Sequence, residues 1–184
     1  CEAFPYGEVE DYTINIVDTP TNNTPEYCEI TAINSNYEWI QSFQMANINN
    51  DSGNNGGYAD FTDMIINVNQ GATYEAILTQ GFLGTNYNEY FRIWIDYNQD
   101  GNFTNNEMAF DAEVPSNAPV TASITIPNTA LEGNTRLRVV MKYNSGSESC
   151  GTYNYGEAED YTINISSIIG EDMAGRLADP NATN

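Results

Sequence analysis

Apolar and polar residues alternate along most of this 184-residue chain, and no long segment carries a helical stripe. Strand-like runs fall at Tyr27–Ile33, Trp39–Met45, Tyr58–Val68, Thr73–Thr79, Glu89–Asp96, Met108–Phe110, Val120–Ile126, Thr135–Lys142 and Ala158–Ile165. Gly, Asn, Pro and Asp cluster between them, as turns require. Many short strands with turn signals at close spacing predict an all-β fold, an antiparallel two-sheet β-sandwich of jelly-roll-like form. In the run 135–142, Leu137, Val139 and Met141 are expected to face the core, with Arg136, Arg138, Val140 and Lys142 on the other side. Trp39 and Trp94 lie within strand patterns and read as core.

An internal repeat divides the chain. Residues 1–16 (CEAFPYGEVEDYTINI) align without a gap on residues 150–165 (CGTYNYGEAEDYTINI). Residues 1–16 therefore read as the closing strand motif of a preceding copy. Residues 17–26 read as a polar linker with two prolines, 27–165 as one complete domain, and 166–184 as a polar linker with a helical turn near Asp172–Leu177. Cys1 corresponds to Cys150, so its partner is expected upstream, and Cys28 is left to pair with Cys150. The other reading of these two is a pair of reduced thiols. The opening Cys1-Glu-Ala-Phe reads as a start inside a longer protein.

Composition narrows the chemistry. There are 26 acidic and 5 basic residues, a net charge of −21, and no histidine. Such a surface repels nucleic acid and anionic membranes. The missing histidine removes Ser-His and Cys-His nucleophiles and histidine zinc sites from this chain. No apolar run is long enough to span a bilayer as a helix. Carboxylate pairs for glycoside hydrolysis could exist, but abundance of acids is their only support.

Residues 96–107 read Asp-Tyr-Asn-Gln-Asp-Gly-Asn-Phe-Thr-Asn-Asn-Glu. Side-chain oxygens at positions 1, 3 and 5, glycine at 6 and glutamate at 12 follow the schedule of a twelve-residue calcium loop. Asp96, Asn98, Asp100, the Asn102 carbonyl and Glu107 are the expected ligands of Ca²⁺, with Thr104 acting through a water. An acidic surface turn is the alternative. The preceding Tyr90–Ile95 is strand-like, so the loop is expected between strands and not between helices.

Four of the five basic residues sit on expected strands, and Glu157, Glu159 and Asp160 are their expected carboxylate partners. A second metal or ligand site is the other reading of those acids. Tyr87, Tyr143, Tyr153 and Tyr155 fall in expected loops and could form a platform for sugar rings, although tyrosine is also a favoured half-buried strand residue.

GEVEDY at 7–12 and GEAEDY at 156–161 resemble the signature of the GEVED-type domain of secreted, Bacteroidetes-like bacterial proteins. The resemblance extends over Tyr27-Cys28, Glu38-Trp39-Ile40, Tyr90–Gly101, Gly133–Val139 and Cys150-Gly151. It implies a β-sandwich accessory module attached to secreted enzymes or adhesins, and it supplies no ligand. The expected function is a non-catalytic, calcium-stabilised, secreted or cell-surface module that binds a polysaccharide or glycan. The alternative is a spacer or adhesin repeat with no small ligand, in contact only with neighbouring domains of a longer chain. No nucleic-acid partner, no membrane insertion and no catalysis are expected.

Overall fold

The computed structural model describes residues 25–115 and 118–167. The expected repeat fragment 1–16, most of the linker 17–26 and the helical turn near Asp172–Leu177 lie outside these residues. Ten strands follow in chain order: β1 (Ile30–Asn34), β2 (Glu38–Met45), β3 (Ile48–Asn50), β4 (Tyr58–Asn69), β5 (Thr73–Phe82), β6 (Glu89–Ile95), β7 (Met108–Val114), β8 (Val120–Thr125), β9 (Gly133–Tyr143) and β10 (Gly151–Ser166). A single 3-10 turn, Asn105–Glu107, precedes β7. The described residues are all-β, with two sheets packed as a sandwich.

One sheet runs β1-β10-β9-β6-β7, with β4 also on β10, and the other runs β3-β2-β5-β8. Most pairs are antiparallel, as expected, but β1 and β4 both run parallel to β10. β10 is 16 residues long, so its edge takes β1 beside Gly151–Tyr155 and then β4 beside Ala158–Ser166. Between them the chain crosses to the other sheet for the β2–β3 hairpin and returns in its original direction. Period-two patterning reports which face a residue takes, not the partner or its direction, so the parallel pairs were invisible in the sequence. β3, only three residues long, carries too little alternation to be read, and β1 starts at Ile30 instead of Tyr27.

The main core fills the space between the sheets. Ile40, Phe43, Leu78, Phe91, Ile93, Leu137, Val139, Met141, Tyr161 and Ile163 are all fully buried in it. The expected inward set on β9 is correct. The opposite face of the same sheet is buried too: Ile30, Trp94, Val140 and Ala158 form a second cluster with Tyr58, Phe103, Met108 and Tyr153. Trp94 is thus core, in this outer layer. Trp39 is a correction, since it is only half-buried. Its indole lies where a β-carbon on Gly81 would stand, so a residue without a side chain is needed opposite it.

Cys28 and Cys150 form the expected disulfide, with Cα atoms 5.6 Å apart and a sequence separation of 122. It ties the segment leading into β1 to the residue just before β10, beside the outer cluster.

Candidate functional site

Three groups of chemistry-bearing residues were legible in the sequence: the acidic loop, the GEAEDY acids and the loop tyrosines. The structure treats each differently.

The loop 96–107 leaves the end of β6 and returns through the 3-10 turn to β7. Asp96 is fully buried and works as the hub of the turn. Its carboxylate accepts from the amides of Asp100 at 3.2 Å and Gly101 at 3.0 Å, and from the Tyr27 hydroxyl at 2.7 Å. Gly101 has φ +81°, and a β-carbon there would stand 2.9 Å from Pro25. Both facts demand glycine at the sixth position. Glu107 is 4% exposed and accepts from the Thr104 amide and hydroxyl, a capping box, and from the Asn98 amide at 3.4 Å. Asp100 is exposed, and the Asn102 amide hydrogen-bonded to it holds its carboxyl below the usual range.

The donor chemistry of this loop fits a hard cation. Among the described residues, Asp96 and Glu107 have no basic partner within ion-pair distance, so two buried carboxylates face one turn without a compensating charge. No group of three or more His, Cys, Asp or Glu side chains lies close enough to hold an ion among the described residues. An ion would need the Asn98 side-chain oxygen and the Asn102 carbonyl beside the carboxylates, as a calcium loop provides.

The GEAEDY acids divide by the pleat of β10. Glu157, Glu159 and Tyr161 point between the sheets, and Ala158 and Asp160 point outward. Asp160 meets the expectation of an arginine partner. Arg138, 2% exposed, grips it with Nε at 2.7 Å and Nη2 at 2.8 Å, and Arg136 adds Nη1 at 2.8 Å. Arg138 also donates to the Ser149 carbonyl at 2.6 Å, next to the disulfide. Glu157 and Glu159 correct the expectation, since neither meets a basic side chain. Glu157 accepts from the backbone amides of Ile40 and Asn55, which joins β10 to the opposite sheet. Glu159 accepts from the Ser52 hydroxyl at 2.6 Å and the Tyr161 hydroxyl at 2.7 Å. Burial pushes both carboxyls up, Glu159 to about 7. A further ion pair, Arg92 with Asp111 at 2.9 Å, joins β6 to β7. The acids of this motif are structural: one outward clamp and two cross-sheet ties.

The tyrosines form the third group. Tyr87, Tyr143 and Tyr155 converge with Tyr37 and Glu38 on a cleft of about 300 Å³. Tyr87 stands edge-on to Tyr143 at 5.5 Å and 81°, Tyr143 to Tyr155 at 6.4 Å and 89°, and Tyr37 to Tyr155 at 6.2 Å and 63°. All four rings are substantially exposed. Tyr143 ends β9 and Glu89 pairs with it at the start of β6, so the cleft lies at the end of the sandwich where the inner faces open. Tyr153 does not join it. That ring packs into the outer cluster, its hydroxyl buried without a partner, and burial pushes it well above the usual tyrosine range.

Sequence reasoning missed the acids at this cleft, Glu38 in its lining and Glu89 behind it. Glu38 is 2% exposed, and Glu89 is 0% exposed with neither oxygen hydrogen-bonded. Burial and the neighbouring Glu38 push Glu89 up to about 8, and burial raises Glu38 as well. The only signal was a glutamate at an inward position of each strand, which alternation alone could have flagged.

Residues 90–164 match the family model of the GEVED domain. No curated protein matches the chain. The GEVED match takes in the acidic loop, both clamp arginines and the acidic motif. It also takes in Tyr143 and Tyr155 but stops short of Tyr37, Glu38, Tyr87 and Glu89. The cleft is therefore partly inside the matched region and partly contributed by the earlier loops at Tyr37 and Tyr87 and the start of β2.

Proposed function

We propose that this chain is a non-catalytic extracellular accessory module that binds a polysaccharide at the tyrosine cleft and is stabilised by Ca²⁺ in the acidic loop. The observation that carries the reading is the convergence of Tyr37, Tyr87, Tyr143 and Tyr155 on one open cleft. Exposed aromatic rings around a few polar groups suit sugars, which combine apolar ring faces with hydroxyls. The GEVED match supports an accessory module, and the disulfide supports an oxidising, secreted or cell-surface setting. In the loop, Asp96, Asn98, Asp100, the Asn102 carbonyl and Glu107 would hold the ion, whose positive charge would offset the two buried carboxylates.

A spacer with no ligand explains the disulfide equally well but gives no reason for Glu89, whose burial without a partner costs stability. A glycosidase needs two carboxyls flanking an accessible bond, and Glu89 has no exposed surface.

Polysaccharide-affinity electrophoresis of the full chain tests the reading. A neutral or amine-bearing glycan should retard the wild type, and Tyr155→Ala should lose most of that retardation while melting within about 0.5 kcal/mol of wild type, as an exposed substitution does. Equal retardation of Tyr155→Ala and wild type would remove the cleft from the function.

A further inference from the structure

Three edge-to-face tyrosine pairs, at 63°, 81° and 89°, do not make a flat stacking platform. They leave ring planes of differing orientation around one cleft, and a ring face, the negative end of its quadrupole, favours a cation. The acids at the cleft have the same sign. Glu38 lines the cleft from β2, and Glu89 lies behind it on β6 with both oxygens unpartnered. From β9 and β10 come only Tyr143 and Tyr155, and no basic side chain lines the cleft among the described residues. On β9, Lys142 precedes Tyr143 and so takes the opposite face of the strand. The arginines of β9 turn away likewise, to Asp160 on the outer layer. An acidic pair this deeply buried holds a proton in place of an external cation, in keeping with the upward displacement of Glu89. The overall charge of −21 adds a field that draws cations toward the surface.

We propose that the cleft selects a protonated amine on its glycan, namely a sugar with a free amino group such as a glucosamine unit, held among Tyr37, Tyr87, Tyr143 and Tyr155 over Glu38, with Glu89 buried behind Glu38. The proposal rests on the reading that the cleft binds glycans and names the class it takes. The ammonium group sits among the ring faces, the sugar ring lies along one of them, and Glu38 supplies the charge that a neutral hydroxyl does not use.

Isothermal titration of the full chain in 150 mM salt tests this with three short oligosaccharides of equal length: glucosamine, N-acetylglucosamine and glucose oligomers. The glucosamine oligomer should bind about 10-fold or more tightly than the other two. Glu38→Gln should erase that preference while leaving weak binding of all three, and Tyr143→Ala should weaken binding of all three. Equal affinities, or preference for the N-acetylated or glucose oligomer, would overturn the amine selection and leave the glycan reading standing. Binding to none of the three would overturn both. A polycation also meets a strongly acidic surface. If glucosamine binding is undiminished in both Glu38→Gln and Tyr143→Ala, the overall charge is responsible and the proposal fails. Circular dichroism of both variants checks their folding; Tyr155→Ala replaces Tyr143→Ala, and Glu38→Ala replaces Glu38→Gln, where either is unfolded.

Discussion

Glu89 is a carboxyl with no exposed surface and no hydrogen bond, and holding it there costs stability. Burial first, and then the charge of Glu38, lift it from the usual 4.5 to about 8. The folded protein therefore holds this proton across a range where the unfolded chain has released it. Stability from that proton is fully present below about 4.5 and is lost as pH rises toward 8. Glu38, Glu157 and Glu159 are displaced in the same direction, so the slope is shared. Glu89→Gln removes one contributor. At pH 8.5 it should stabilise the protein by about 1–3 kcal/mol, with little change at pH 4.5. Thermal melts at the two pH values measure this, and an unchanged pH slope in the variant would show that Glu89 ionises freely in the fold. The glutamate was readable as an inward position of β6, but its isolation was not, since that depends on what β2, β7 and β9 bring near it.

At the scale of the element, the loop 96–107 shows two kinds of acid within one motif. Asp96 is internal to the turn, holding two loop amides and Tyr27, and Tyr27 in turn stacks on Phe103 at 5.3 Å. Asp100 is at the surface and engages only its loop neighbours. Asp100→Ala should therefore abolish a calcium-dependent rise in Tm and change little in EDTA. Asp96→Ala should destabilise in both conditions, by about 1–3 kcal/mol without metal, because it leaves buried donors unpaired. Scanning calorimetry with CaCl₂ and with EDTA separates the two. The absence of any Tm rise with millimolar Ca²⁺ in the wild type would reduce the loop to a hydrogen-bonded turn. The spacing of Asp96, Gly101 and Glu107 was legible because a ligand schedule is local. The Tyr27 strut was not, because it comes from 69 residues away in sequence. The arginine clamp was half legible in the same way. Opposite charges on neighbouring strands announced a pairing, but the pleat of β10 decided that Asp160 would take it and that Glu157 and Glu159 would face the other sheet.

Across the whole molecule, the Cys28–Cys150 bridge closes nearly the entire described domain, with a sequence separation of 122. In the chain-entropy account, a loop that long contributes roughly 4–5 kcal/mol. The double variant Cys28→Ser/Cys150→Ser should lose about that much in urea unfolding, and its loss should fall first on the outer layer, where Arg138 and the Ser149 carbonyl meet beside the bridge. Hydrogen exchange that stays uniform between the two sheets would argue against that local weakening. The sequence by itself determined the all-β class, the faces of β9 and the outline of the acidic loop, and it narrowed Cys28 and Cys150 to two readings, because alternation and residue spacing are written along the chain. Only the tertiary structure decided the parallel edge on β10, the destination of each GEAEDY acid and the meeting of Tyr37, Glu38, Tyr87, Glu89, Tyr143 and Tyr155. Those depend on which strand ends the topology brings to one end of the sandwich, and a one-dimensional pattern carries no record of that.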